Sequence, residues 1–160
     1  MPESPLHIAI ESPDQPEVRA LIDALDAYQR ALYPAESNHL VDISALLQPN
    51  VRFAVARDAQ RRALGCGAVL LDAGAGELKR MFVDPAQRGR GVARRLHAFL
   101  ESEAARAGAT ELRLETGIHQ PEALALYEGL GYRRCGPFAG YVEDPLSVFM
   151  HKPLAACASA

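Results

Sequence analysis

Long apolar runs, paired cysteines and a strong charge of one sign are all missing from this chain of 160 residues. Without an apolar run near the length of a membrane span, no membrane partner is expected. Cys66, Cys135 and Cys157 are odd in number and show no C-x-x-C spacing, which points away from a structural disulfide or zinc site and toward a reducing compartment. His39 has no partner at metal-ligand spacing, so no metal is expected. A net charge of -3 gives no global pull toward nucleic acid, and the arginines near residue 90 lack the interleaved aromatic rings that stack on bases. No nucleic-acid partner is therefore expected. Residues 1–5 show no basic segment ahead of an apolar core, so no signal peptide is expected and the protein reads as soluble and cytoplasmic.

What the chain does have is a 49% hydrophobic composition. At this length that suits one domain over residues 1–160, burying roughly two thirds of its unfolded surface, with residues 155–160 as a frayed tail. Residues 6–11 read as a first strand. Asp14 and Glu17 bracket Pro16 as a D-x-x-E capping box, and Val18, Leu21, Ile22, Leu25 and Leu32 give the helix that follows one apolar face until Pro34. A short helix over residues 43–47 closes the segment. Residues 51–57 set Val51, Phe53 and Val55 against Arg52, Ala54 and Ala56, the pattern of a half-buried strand. Residues 63–71 return as its hairpin partner, with Gly65-Cys66-Gly67 marking a bulge or close packing. Residues 77–83 then complete an antiparallel meander.

A helix burying Val92, Leu96, Phe99, Leu100 and Ala104 ends near Gly108, and a strand over 111–116 follows it. Strand, helix, strand in that order implies a parallel pair with a right-handed crossover. Pro121 opens another helix, and residues 132–135 and 147–152 are the last strands. Between the strand at 77–83 and the long helix stand Arg88, Gly89, Arg90, Gly91, Val92 and Ala93. Gly89 and Gly91 lack Cβ atoms, so backbone N–H groups can approach a ligand closely at a helix start that already carries unpaired donors and partial positive charge. That is an anion site. Arg88, Arg90, Arg94 and Arg95 add forked cations around it, which suits a pyrophosphate. The dinucleotide fingerprint fails because Arg94 stands at its third small position, and a P-loop fails because no G-K-[ST] follows.

Arg88-x-x-Gly91-x-Ala93 after E-L-x-x-M-x-V-x-P, followed later by L-Y-x-x-x-G-Y, resembles the coenzyme A loop of the GCN5-related N-acetyltransferases (GNAT family). The resemblance covers residues 51–152 best. It implies an α/β (α+β) domain with a central mixed, mostly antiparallel twisted sheet, helices on both faces and a parallel pair splayed at the coenzyme site. It implies acetyl-CoA as co-substrate. Met81, Phe82 and Val83 would line the pantetheine arm, loop amides from Arg88 to Ala93 would hold the pyrophosphate, and Tyr127 would sit beside the coenzyme sulfur. Where the family often has Asn seven residues before that tyrosine, this chain has Gln120, one methylene longer.

The reaction so implied has a proton requirement. An alkyl amine with a pKa near 10.4 is neutral in only about one molecule in 2,500 at pH 7, so some group must accept a proton. Glu77 is the first candidate, directly or through water, and Glu115 on the neighbouring strand the second. Tyr127 can donate a hydrogen bond or proton to the leaving thiolate. Tyr33, Glu36 and His39 in the early segment and Tyr141, Glu143 and Asp144 in the late loop combine carboxylates with aromatic faces suited to a cation. A small-molecule or peptide amine is the expected acceptor, and a homodimer is compatible with it. The alternative is a non-catalytic acyl-CoA sensor using the same loop.

Overall fold

Apolar side chains on both surfaces of the central strands require cover from both sides, and the architecture supplies it. The computed structural model describes residues 5–35 and 42–154. Strand β1 (His7–Ile10) leads into α1 (Pro16–Leu32) and the single-turn α2 (Ile43–Leu46). Strands β2 (Val51–Arg57), β3 (Ala63–Asp72) and β4 (Ala75–Val83) form the meander. Then come α3 (Val92–Arg106), β5 (Glu111–Gly117), α4 (Pro121–Gly129), β6 (Arg133–Cys135) and β7 (Ser147–Pro153). The strands make one seven-stranded sheet in the order β1-β2-β3-β4-β5-β7-β6, with β4 and β5 parallel and every other neighbouring pair antiparallel. Helices α1 and α2 cover one face, where Val18, Leu21, Ile22 and Leu46 pack on Phe53, Val55, Cys66 and Ala68. Helices α3 and α4 cover the other, setting Leu96, Leu100 and Tyr127 against Ala54, Val69, Leu112, Leu114 and Met150.

This mixed sheet with a parallel pair is the fold class expected from the sequence, but local readings change. Residues 51–57 are not half-buried: Ala54 and Ala56 lie fully buried in the α3 core, because a strand covered on both faces carries small apolar residues where a polar row would otherwise stand. The capping box does not form either. Gln15 is the N-cap of α1 and makes no side-chain cap bond, while Asp14 pairs with the exposed Arg19 and Glu17 with Arg57. Arg57 is only 5% exposed, and its guanidinium also takes Glu11, the Gln15 side chain and the Arg61 carbonyl. A buried cation is costly unless its donors are met, so these acceptors turn to Arg57 instead of the helix amides.

Helix α3 departs from its apolar pattern at one place. His97 is 1% exposed within the buried stripe, whereas Phe99 is only partly buried. Its Nε2 lies 2.8 Å from the Tyr132 hydroxyl, and burial pulls the imidazole down to about 4. An unfolded histidine takes its proton near pH 6.5. Between those values the unfolded chain binds one more proton than the folded one, so stability is complete above pH 6.5 and falls as pH drops toward 4. The loss from this residue should be on the order of 3 kcal/mol. Denaturant melts from pH 7.5 to 4.5 should show it, and His97→Gln should flatten that slope; an unchanged slope would assign the acid sensitivity elsewhere.

Candidate active site

The β4–β5 ladder begins at Ala75 opposite Glu111, runs to Leu78 opposite Leu114 and stops. Beyond that point β4 continues on β3 alone and β5 on β7 alone, so the parallel strands diverge into a fork. The cause lies in β4. Gly67 of β3 faces both Arg80 and Met81, a bulge in which Arg80 adopts a φ of 57°. A bulge bends its strand and sharpens the twist, which turns β4 away from β5. Gly67 permits it, since a Cβ there would lie 2.3 Å from Met81 Sδ. The buried Arg80 guanidinium is tied to Asp26 of α1.

Past the fork, a 3-10 turn (Pro85–Gln87) is capped by the Asp84 carboxylate, which accepts from Ala86 N–H at 3.0 Å. Gly89 and Gly91 then take φ values of 84° and 73°, and Gly91 is the N-cap of α3. Among the described residues, no acceptor meets the backbone N–H groups of residues 89–94. Arg88, Arg90 and Arg94 are exposed around them. Free amides at the positive end of a helix, ringed by cations, can hold a pyrophosphate.

A cleft occupies the crotch of the fork. Leu78 faces the α3 core with Leu112 and Leu114, so Glu77 and Lys79 face the α1 side. Glu77 is 7% exposed. Its Oε2 accepts the Tyr141 hydroxyl at 2.8 Å and Lys79 Nζ at 2.9 Å, and Nζ also donates to the Tyr141 oxygen at 2.7 Å. Burial, then the Glu77 charge, raises the Tyr141 phenol above its ordinary range and keeps it a donor. Glu77 Oε1 has no hydrogen-bond partner among the described residues. Glu115 lines the same cleft and accepts from Ser147 Oγ at 2.9 Å. Tyr127 enters from the opposite face: its ring sits edge-on to Tyr132 at 5.5 Å in the core, and burial raises the phenol to about 12. Tyr33 is buried flush on Gly117, where a Cβ would lie 1.8 Å from its hydroxyl. That hydroxyl donates to Gln120 Oε1 at 3.2 Å and accepts from His119 N–H at 3.1 Å.

Residues 49–134 match the acetyltransferase (GNAT) domain family. The "IAA acetyltransferase" of Azospirillum brasilense is 51% identical over 149 residues, spanning 92% of this chain and 97% of that protein. The chain belongs to the GNAT N-acetyltransferases. A solved structure from Klebsiella pneumoniae subsp. pneumoniae MGH 78578, provisionally assigned as an acyl-CoA N-acyltransferase, superposes with a TM-score of 0.80 at 42% identity over 94% of this chain and 98% of that one. The PaiA N-acetyltransferase of Thermoplasma acidophilum, solved with coenzyme A, shares the GNAT fold with a TM-score of 0.70 at 16% identity, covering 94% and 99%.

Acetyl-CoA is the co-substrate of this GNAT enzyme, and the residues present fit it. Among the described residues, no acceptor meets the amides of residues 89–94 and β5 does not pair with β4 beyond Leu78; these are the two surfaces that a pyrophosphate and an amide-bearing arm require. Glu77, Glu115, Tyr127, Tyr33, Gln120 and Tyr141 are brought together in one cleft with Met81. Asp144 is not among them: its carboxylate accepts Leu146 N–H at 2.9 Å and lines a separate hollow with Arg134, Cys135 and Glu143. Glu36 and His39 lie outside the described residues. Sequence reasoning missed Lys79, although a strand's period of two places it beside Glu77, and it missed Asp26 and Gln29 because nothing in the sequence says which strand α1 overlies.

Gly91→Asp tests the anion site, since Asp tolerates a left-handed backbone while placing like charge against a phosphate. Calorimetry should show coenzyme A binding weakened at least about tenfold, the scale of one unfavourable charge contact of ~1.4 kcal/mol. Unchanged affinity in the folded variant would move the site.

Proposed function

We propose that the protein transfers the acetyl group of acetyl-CoA to a primary amine by direct attack in one ternary complex, with Glu77 receiving the amine proton and Tyr127 serving the sulfur. One observation carries this reading: Glu77 and Tyr127 reach a single cleft through the open fork from opposite faces of the sheet. An amine on the α1 side and a thioester on the α3 side would meet between them. Acetyl-CoA supplies the acetyl thioester, whose C–S bond breaks as the N–C bond forms.

Glu77 Oε2 is engaged by Lys79 and Tyr141, so Oε1 is the oxygen that takes the proton leaving nitrogen. Glu115, bonded to Ser147, is the second candidate. Tyr127 at about 12 is a much weaker acid than a thiol near 8.5. Complete proton transfer to the thiolate would be uphill by about 5 kcal/mol, so its hydroxyl acts as a hydrogen-bond donor to the charge developing on sulfur. Arg88, Gly89, Arg90, Gly91, Val92 and Ala93 hold the pyrophosphate, Met81, Phe82 and Val83 take the pantetheine arm, and the Gln120 NH2 group remains available because its oxygen is used by Tyr33. Tyr33 and Tyr141 border the acceptor side. The free thiols of Cys66 and Cys135 support a reducing, cytoplasmic setting. A sensor without turnover is not favoured, because both catalytic roles have a candidate side chain in the cleft.

Glu77→Gln should lower kcat/KM by about 10²-fold or more near pH 7, narrowing at alkaline pH where more amine is already neutral. A parent-like rate and pH profile would hand the role to Glu115 or solvent. Tyr127→Phe should lower kcat by roughly 10- to 100-fold, the worth of one hydrogen bond to a charged group at ~1.5–3 kcal/mol, with acetyl-CoA affinity unaltered by calorimetry. A kcat within about threefold of the parent would reduce Tyr127 to a core ring.

A further inference from the structure

We infer that the acceptor is an α-amino acid, its amino group taken by Glu77 and its carboxylate by Lys79. The inference rests on the transfer reading above and names the substrate class of that same site. It begins from donors and acceptors left open. An ammonium has three N–H donors. Lys79 uses one on Glu77 Oε2 and one on the Tyr141 hydroxyl, and no third acceptor meets it among the described residues. Glu77 likewise commits Oε2 twice and leaves Oε1 open. The cleft therefore presents one open anionic acceptor and one open cationic donor, held side by side by a 2.9 Å ion pair.

A lysine whose role was only to neutralise Glu77 would sit in a closed network. The Arg57 cluster shows what that looks like, with every guanidinium nitrogen engaged by Glu11, Gln15, Glu17 or the Arg61 carbonyl. The Glu77–Lys79 pair is nearly as buried, with side chains 9% and 16% exposed, yet among the described residues each partner keeps an unused bond, and both side chains line one cleft. Removing a charged group from water without filling its bonds is costly, so such a pair is complementary to a ligand carrying the opposite charges at the same short separation. An ammonium and a carboxylate on one carbon meet that requirement. A simple alkylamine would fill Oε1 and leave the Lys79 donor unmet. The other cationic side chain lining the cleft, Arg80, is paired with Asp26, and Lys79 is the cation that stands beside Glu77. Leu25 and Leu146 also line the cleft, beside the polar Gln29, Thr116 and Gln120, and give an acceptor's apolar side chain partial cover.

Coenzyme A thiol release, measured with matched acceptors, tests this. L-leucine, L-leucinamide and 3-methylbutylamine share a side chain and differ at the carboxylate. The amide's amine is the weakest base of the three and offers the most neutral nucleophile at pH 7, so chemistry alone favours the amide. The expected result is the reverse, with kcat/KM for leucine at least tenfold above leucinamide. Lys79→Gln should cut that ratio at least tenfold while Lys79→Arg retains part of it. Coenzyme A affinity by calorimetry, unchanged in both, shows that the variants are folded. Equal or better use of the amide by the parent, or a Lys79→Gln loss that is the same for both acceptors, overturns the inference. Should Lys79→Gln fail to fold, the parent's ratio decides. Release of no thiol with any acceptor would sink the transfer reading by itself; calorimetry of leucine and leucinamide into coenzyme A-loaded protein then judges the inference separately, tighter leucine sustaining it and equal affinities ending it.

Discussion

The end of the β4–β5 ladder at Leu78 and Leu114 is the constraint on which the site depends. Two neighbouring parallel strands would ordinarily go on pairing, since each buried backbone group left unmet costs about 1–3 kcal/mol. Keeping them apart needs a local distortion and something to hold it. The bulge supplies the first, at the roughly 1–2 kcal/mol of a left-handed non-glycine residue at Arg80. The second comes from α1, whose Asp26, Gln29 and C-cap Tyr33 fall three and four residues apart on one stripe. Asp26 grips Arg80 on the β4 side, while Gln29 and Tyr33 both reach Gln120 beyond β5. One helix thus spans the fork and touches both of its arms.

That opening also sets the electrostatics. Strand alternation sends Glu77 and Lys79 to the α1 face just where β5 departs, so two charges that a continuous sheet would leave beneath α1 instead border a ligand-sized space. Tyr127 arrives from the other face because α4 follows β5 and packs with α3. The fork therefore lets side chains from both faces of the sheet, Glu77 from one and Tyr127 from the other, line a single cleft. The contrast with Arg57 is one of bond count: Arg57 is a closed network, and among the described residues Glu77 with Lys79 is an open one.

Much of this was legible in the sequence because it rests on local chemistry. Gly89 and Gly91, the strand before them and the apolar stripe after them announce a helix start with open amides, and the strand-helix-strand order announces the parallel pair. Gly65-Cys66-Gly67 announced a bulge or close packing, and the structure shows the close packing there, with the register shift falling between Cys66 and Ala68. What was not legible depends on tertiary partners. The Asp14–Glu17 spacing satisfies a capping box in isolation, but Arg57 arrives from 40 residues away in sequence and takes Glu17. His97 interrupts an apolar stripe and looks solvent-facing until Tyr132 is placed beside it. Asp144 shares a loop with Tyr141, yet the turn closed by Leu146 N–H carries it to another surface.

The buried Arg80–Asp26 pair also shows why polar contacts were needed where apolar ones would have packed. A buried ion pair adds little net stability over a well-packed apolar pair, because desolvation offsets the attraction. Apolar burial, however, is non-directional, so the packing of Val18, Leu21, Ile22 and Leu25 constrains the helix's axial position only loosely. Four polar contacts along α1 remove that freedom, Glu17 with Arg57 near its start, Asp26 with Arg80 in its middle, and Gln29 and Tyr33 with Gln120 at its end. Their directionality fixes helix register to within a hydrogen bond's tolerance of a few tenths of an ångström. The consequence reaches Gln120, because Tyr33 and Gln29 both donate to its carbonyl and no acceptor meets its NH2 group among the described residues. The extra methylene of Gln120 is accommodated by that grip from α1, which gives the longer amide a defined position at the mouth of the fork.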